Sequence, residues 1–244
     1  MKMKKNFAML VLLLSFFSLN AFAFAPNPKD DALKLELFKL ASKNHKAVGY
    51  NPAKKFLFGQ LHLVKGSEGY YVKDLYCEIN YTKGVGPGNL PDQNQLNCEH
   101  TWPQSKFTGA FPTELQKSDM HHLFPTDSKA NSTRGNFEFA DVTENRNLKN
   151  CDTSKSGPSV TSGGNTYFEP PTSHKGNVAR ALFYFSVRYK MPIGEAQEEF
   201  LKRWNHLDPV DDEEMARNSA IEKLQGNRNP FIDRPELIDQ ISDF

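Results

Sequence analysis

The runs Cys98-Glu99-His100-Thr101-Trp102-Pro103 and Ser118-Asp119-Met120-His121-His122-Leu123-Phe124-Pro125-Thr126-Asp127-Ser128-Lys129-Ala130-Asn131-Ser132-Thr133-Arg134-Gly135-Asn136-Phe137 carry most of the unusual chemistry of this chain. A Glu directly before a His is common by chance. On a strand, however, neighbouring side chains point to opposite faces. Glu99 and His100 then take different roles more easily than they serve as equal ligands of one ion. A carboxylate suits a hard cation, and a neutral imidazole suits proton abstraction near pH 7. The His-Glu-x-x-His spacing of a zinc peptidase helix is absent. In the second run, Pro125 should end one extended stretch, and Thr126 or Asp127 should cap a short helix. Asn131 would ride on that helix, with Arg134 one turn later. Gly135 should stop it, and Phe137-Glu138-Phe139 returns to strand alternation. The unit reads strand, Pro-containing link, strand and short helix, and it presents an Asn oxygen suited to a hard metal.

Outward from this centre the chain reads as α+β, mostly helical with a small β-rich middle. Leu33, Leu37, Leu40 and Ala41 recur at helical spacing and predict a helix over Asp30 to Val48, stopped by Gly49. Tyr50 to Asn97 is rich in Gly, Pro, Tyr and Asn. Leu61-His62-Leu63-Val64 and Tyr70-Tyr71-Val72 are its candidate short strands. Asn150 to Pro171 should be a surface loop or loose hairpin. Gly176 to Tyr189 is apolar almost all round and should be a central helix. Further helices are expected at Glu195 to His206, Asp211 to Leu224 and Pro235 to Ile241.

The chain has 244 residues, enough for a sizeable core in one domain or at most two small ones. Apolar residues at 38% and charged residues at 24% exclude collagen-like and disordered classes. Lys2, Lys4 and Lys5 precede 13 uncharged residues, Phe7 to Leu19, and then small residues alternate before Pro26. That is the order of a secretory signal peptide, read here as 1–23, with a single domain over 24–244. The full chain carries 30 basic and 29 acidic residues. Residues 1–25 hold three lysines and no acid, so their removal changes the charge from +1 to −2. A nucleic-acid partner would therefore need a local basic face. Three cysteines remain in the exported part (Cys77, Cys98, Cys151), which suggests one disulfide, guessed as Cys77–Cys151, and one free thiol.

The run Glu99-His100-Thr101-Trp102-Pro103-Gln104-Ser105, with Asp119-Met120-His121-His122-Leu123-Phe124-Pro125 and Asn131-Ser132-Thr133-Arg134-Gly135-Asn136, resembles the endonuclease I family. These are exported, largely sequence-nonspecific nucleases of the ββα-metal (His-Me finger, HNH-like) superfamily. Tyr50-Asn51-Pro52-Ala53-Lys54, Asp74-Leu75-Tyr76-Cys77, Ala179-Arg180-Ala181-Leu182-Phe183-Tyr184, Trp204-Asn205 and Gln225-Gly226-Asn227-Arg228-Asn229-Pro230-Phe231 extend the likeness over nearly the whole exported part. The resemblance implies Glu99 as a metal-binding carboxylate, His100 as the general base and Asn131 as the second protein ligand. One Mg²⁺ is implied, with Mn²⁺ or Ca²⁺ as substitutes. The implied reaction is phosphodiester hydrolysis to 5′-phosphate ends, on DNA and with RNA open as a second substrate, by a monomer free of the membrane. Better-known members carry a basic insertion with an Arg on the cleaved phosphate. Here Lys106 to Ser118 is short and holds no Arg, so Lys117 or Lys106 is the expected substitute.

Other readings stand beside these. One of His121 and His122 should be buried and bonded to backbone while the other faces outward, and Asp119 should fix His121. Arg134 suits phosphate contact and carboxylate pairing equally. Asn136 should close a turn. Cys98, Trp102 and Trp204 read as packed residues, and Asp211 to Glu214 as a helix start. The basic cleft draws on Lys106, Lys117, Lys129, Arg134, Lys175 and Arg180. The competing functions are a zinc hydrolase using His100, His121 and His122, and an inactive nucleic-acid-binding relative.

Overall fold

A computed structural model describes residues 30–160 and 164–244; the expected signal peptide lies outside the described residues. Helix α1 (Asp30–Ser42) and helix α2 (Tyr50–Phe56), which runs into a π-turn at Leu57–Leu61, lead into β1 (Leu63–Gly66), β2 (Gly69–Lys73) and β3 (Asn80–Tyr81). The centre follows as β4 (Leu96–His100), α3 (Thr113–Lys117), β5 (Leu123–Asp127) and α4 (Ser128–Arg134). Then come β6 (Lys155–Pro158), β7 (Thr166–Glu169), α5 (Lys175–Tyr189), α6 (Glu195–Leu207), α7 (Asp212–Gln225) and α8 (Pro230–Asp233). The strands form three small antiparallel sheets, β1-β2-β3, β4-β5 and β6-β7. The fold is α+β and mostly helical, as its periodicity implies.

Helix α5 is the axis of the core. Only Asn177 among its 15 residues escapes burial. Phe183, Phe185 and Tyr189 pack there with Trp102, Phe139, Trp204 and Phe231. Full burial of each such ring contributes roughly 1.5–3 kcal/mol. The helix begins against Asp208: a Cβ on Gly176 would lie 1.9 Å from the Asp208 carbonyl oxygen, so only glycine fits. Arg180 leaves this helix to pair with Glu214 on α7 and to donate to Asn205 on α6, which ties three helices together. The disulfide joins Cys77 to Cys151, and Cys98 is free and buried.

Helix α4 is short for local reasons. Asp127 caps it by accepting from the amides of Lys129 and Ala130 at 2.9 and 2.8 Å. Gly135 ends it at φ 52°. Several expectations need correction. The first helix ends at Ser42, six residues before Val48, and the turn beyond it uses Asn44 at φ 62°. Tyr50–Phe56 is helical, not part of a strand-and-turn stretch. Pro52 lies in its first turn, where a missing N–H costs nothing, and Ala53 and two lysines favour the helix. The π-turn takes Leu61, so the strand starts at Leu63. Pro125 continues β5: it pairs opposite Cys98, and its carbonyl accepts from the Leu75 amide at 2.9 Å. Phe137-Glu138-Phe139 forms no strand, only a single bridge between Phe139 and Phe168. The loop between Asn150 and Pro171 does contain the β6-β7 hairpin, and the stretch from Pro235 is a 3₁₀ turn.

Candidate active site

Strand β4 ends where α4 begins to pass over it, and a cavity of about 440 Å³ opens there. Glu99, His100, Gln104, Asn131, Arg134 and Asn136 are among its lining residues. Strand alternation works as expected. Glu99 turns toward the loop at Tyr76 and toward α4, and His100 turns toward α3. Both reach one cavity because His100 is the last residue of its strand.

Glu99 is 2% exposed. Its Oε1 accepts from the Tyr76 hydroxyl at 2.9 Å and lies 2.9 Å from the Arg134 guanidinium. Burial pushes the Glu99 pKa up, against the pull of Arg134 and Tyr76. Arg134 itself is 2% exposed. It also donates to the carbonyls of His100 and Thr101 at 3.1 and 2.6 Å, and it stacks over Phe139. Of its two expected roles, the structure therefore displays the pairing with a carboxylate beneath the site. A direct phosphate contact would need the guanidinium exposed.

The His100 ring is fixed at both nitrogens. Nε2 lies 3.0 Å from the Lys117 carbonyl oxygen and Nδ1 lies 3.3 Å from the Gln104 side-chain amide. A carbonyl only accepts, so Nε2 carries the hydrogen and Nδ1 keeps the lone pair. Burial first, and then the neighbouring His122, pull the imidazole down to about 3, so it is neutral at pH 7. Asn131 donates Nδ2 to Asn97 Oδ1 at 2.8 Å, and Asn97 in turn donates to Ser128. That bond selects the orientation of the Asn131 amide and leaves its carbonyl oxygen as the free branch.

Lys117 enters the site through its backbone. Its ammonium lies over the Tyr50 ring, 4.6 Å from the centroid, and Lys117 is not among the residues lining the cavity. Lys106 pairs with Glu138 at 3.3 Å. Lys175 is buried between Asp141 and Glu169, and Arg180 is buried on Glu214. Three of the six cations assigned to a basic cleft, Arg134, Lys175 and Arg180, are thus internal ion-pair partners, a correction that sequence spacing does not reveal. Lys129 is exposed. Asn136 is exposed, 3.5 Å from the Ser105 hydroxyl at the cavity rim.

His121 and His122 are both fully buried, so the outward-facing partner expected for the pair does not exist. His121 Nε2 bonds the Asn227 carbonyl and His122 Nε2 bonds the Gln116 carbonyl. Burial pulls them down to about 3 and about 4. Asp119 fixes the backbone amide of His121, not its ring, and also accepts from Gln225, Tyr184 and Tyr189. Burial raises its pKa, but the imidazoles of His45, His121 and His122 and the Gln225 bond outweigh that and hold it well below the usual carboxylate range. Among the described residues, no group of three or more His, Cys, Asp and Glu side chains is placed to hold a metal. Sequence reasoning gave no role to Tyr76, Asn97, Gln104 or Tyr50. Asn97 was findable, since period-two alternation puts it on the Glu99 face. Tyr76 comes from a distant segment with no local signal.

The Endonuclease I family model matches residues 30–236. The chain belongs to the endonuclease I family. Among curated relatives of this endonuclease I chain, an extracellular ribonuclease of Bacillus subtilis (strain 168) is 37% identical over 190 residues, covering 68% of this chain and 60% of that protein. An extracellular deoxyribonuclease of Aeromonas hydrophila is 34% identical over 143 residues, covering 58% of this chain and 60% of that protein. A periplasmic deoxyribonuclease of the same organism is 32% identical over 141 residues, covering 58% of each. The matches to these relatives thus cover about three fifths of their length. No helix among the described residues is long and apolar enough to cross a membrane.

Proposed function

We propose that this chain is an exported, metal-dependent, largely sequence-nonspecific endonuclease that hydrolyses phosphodiester bonds. The observation that carries the reading is the shared cavity. His100 presents a neutral ring with Nδ1 free of a hydrogen where Glu99 and Asn131 offer two oxygen donors. Relatives named as extracellular and periplasmic nucleases, and the signal-like first 23 residues, support export. Names of both kinds, ribonuclease and deoxyribonuclease, support nucleic acid as the substrate class.

The donor set fits a hard divalent ion, since a carboxylate and an amide oxygen are typical Mg²⁺ donors. Glu99 Oε1 already holds both of its side-chain partners, which leaves Oε2 as the candidate ligand atom. A cation held by Glu99 and Asn131 would supply positive charge beside the phosphate oxygens and the leaving 3′ oxygen. His100 Nδ1 takes a proton from a water, whose oxygen attacks phosphorus. The bond to the 3′ oxygen breaks, and that oxygen takes a proton from solvent water, giving a 3′-hydroxyl and a 5′-phosphate; His100 then returns its proton to solvent. Lys117, through its carbonyl, holds the Nε2 hydrogen and so keeps Nδ1 as the basic atom. Arg134 balances the Glu99 charge and fixes its position.

The test is incubation of purified protein with plasmid and with RNA, in Mg²⁺ and in chelator, with the product ends mapped. His100→Ala should lower cleavage by about 10²–10⁴-fold while the protein stays folded and still binds nucleic acid. Unchanged cleavage in that variant would remove the mechanism, and cleavage that persists in chelator would remove the metal.

A further inference from the structure

Beside His100 lies a group that the mechanism does not use. The Tyr50 ring sits 5.3 Å from the His100 ring. Its amide donates to the Glu114 carboxylate at 2.7 Å and its hydroxyl meets the buried Cys98 thiol, so the ring is held at both ends. The ammonium groups of Lys54 and Lys117 both lie over this ring, 4.8 and 4.6 Å from its centroid. The two cations come from different elements, α2 and α3, and neither has a carboxylate within 4.0 Å among the described residues. Buried Lys175 has Asp141 and Glu169, and half-buried Lys202 has Glu198. Two like charges on one ring repel, and an aromatic face compensates only part of that. The Glu114 carboxylate is engaged by the Tyr50 amide, and neither ammonium forms an ion pair with it.

We infer that Lys54 and Lys117, seated on Tyr50, form a binding subsite for the backbone phosphate next to the one being cleaved. The subsite rests on the nuclease reading and deepens it. Neither lysine lines the cavity of Glu99, His100 and Asn131, so the scissile phosphate is not their target. A nucleic-acid strand carries a phosphate about every 3.4 Å of helix rise, so a neighbour falls within reach of a ring beside His100. A phosphate contact carries no sequence information, which suits nonspecific cutting. Tyr50 is a positioning residue here, and the lysines are binding residues.

The test uses the full exported chain with Lys54→Gln, Lys117→Gln and the double variant. Two readouts apply: KM for cleavage, and anisotropy of a short fluorescein-labelled oligonucleotide in chelator. Each single change should raise KM and Kd about three- to fivefold, the gain expected of a partly exposed ion pair. The slope of log Kd against log salt should shrink by about 1 per lysine. Lys54→Arg should restore both, because the charge and the ring contact return. If wild type binds no nucleic acid, the subsite and the nuclease reading fall together. If wild type binds and cleaves but the folded double variant keeps its KM, Kd and salt slope, only the subsite falls. A double variant that loses kcat at unchanged KM also overturns it.

Discussion

At Glu99 the decisive fact is a carboxylate buried with one guanidinium and one phenol. Removing the partner leaves an uncompensated buried charge, which costs about 3–5 kcal/mol. Arg134→Met should therefore lower stability by that amount in urea titration, and cleavage should fall with it. A phosphate-binding Arg would instead lose affinity with stability intact. Asn97→Ala makes a gentler change. It frees the Asn131 amide to rotate and should weaken apparent Mg²⁺ affinity about 10- to 100-fold, the usual effect of losing a group that orients a ligand. Titration of activity against Mg²⁺ reads this directly, and an unchanged midpoint would show that Asn97 does not orient Asn131. That Glu99, His100 and Asn131 share one cavity was legible because they sit in short ordered motifs that resemble those of the family. Tyr76 was not, since it acts only through Glu99, to which folding brings it.

At the scale of elements, α4 is seven residues long and could not persist alone. Its Asp127 cap and its packing over β4 hold it. Asp127→Ala should cost about 1 kcal/mol through the lost cap, and more because Asp127 also accepts from the Tyr81 hydroxyl at 2.6 Å. Thermal melting measures this, and a shift too small to resolve would mean that packing alone sets the helix. The short helix was readable, because Asp127 and Gly135 are local signals. Helix α2 was not, because a Pro and a Tyr-rich neighbourhood resemble turns until the chain packs against Leu96, Met120 and Leu123.

For the whole molecule, several imidazoles are sealed in the core. His121, His122 and His174 are pulled by burial to about 3, about 4 and about 3, below the ordinary value of 6.5. The unfolded chain therefore binds more protons than the folded one between those values. Stability is fully present above pH 6.5 and is lost as pH falls below it. Urea midpoints should decline steadily from pH 6.5 toward pH 4, with net proton uptake on unfolding. A flat profile over that interval would contradict the burial of these rings. The disulfide spans 74 residues and encloses β4, β5 and α4. Reduction should cost about 4 kcal/mol by loop entropy, seen as a lower melting temperature with and without reductant. Cleavage should also fall as ionic strength rises, because the net charge after removal of residues 1–25 is −2 and binding relies on a few local cations.

Sequence by itself determined the strand-strand-helix order and the helix ends at Asp127, Gly135 and Asp211. These follow from periodicity, capping and motif spacing, all of which act within a few residues. Only the tertiary structure decided which cations remain for substrate. Arg134 and Arg180 found buried carboxylates and Lys175 found half-buried ones, while Lys54 and Lys117 found an aromatic ring. Pairing of charges depends on distance in space. Glu99 and Arg134, and likewise Arg180 and Glu214, lie far apart along the chain and are brought together only by folding, and no local pattern encodes that.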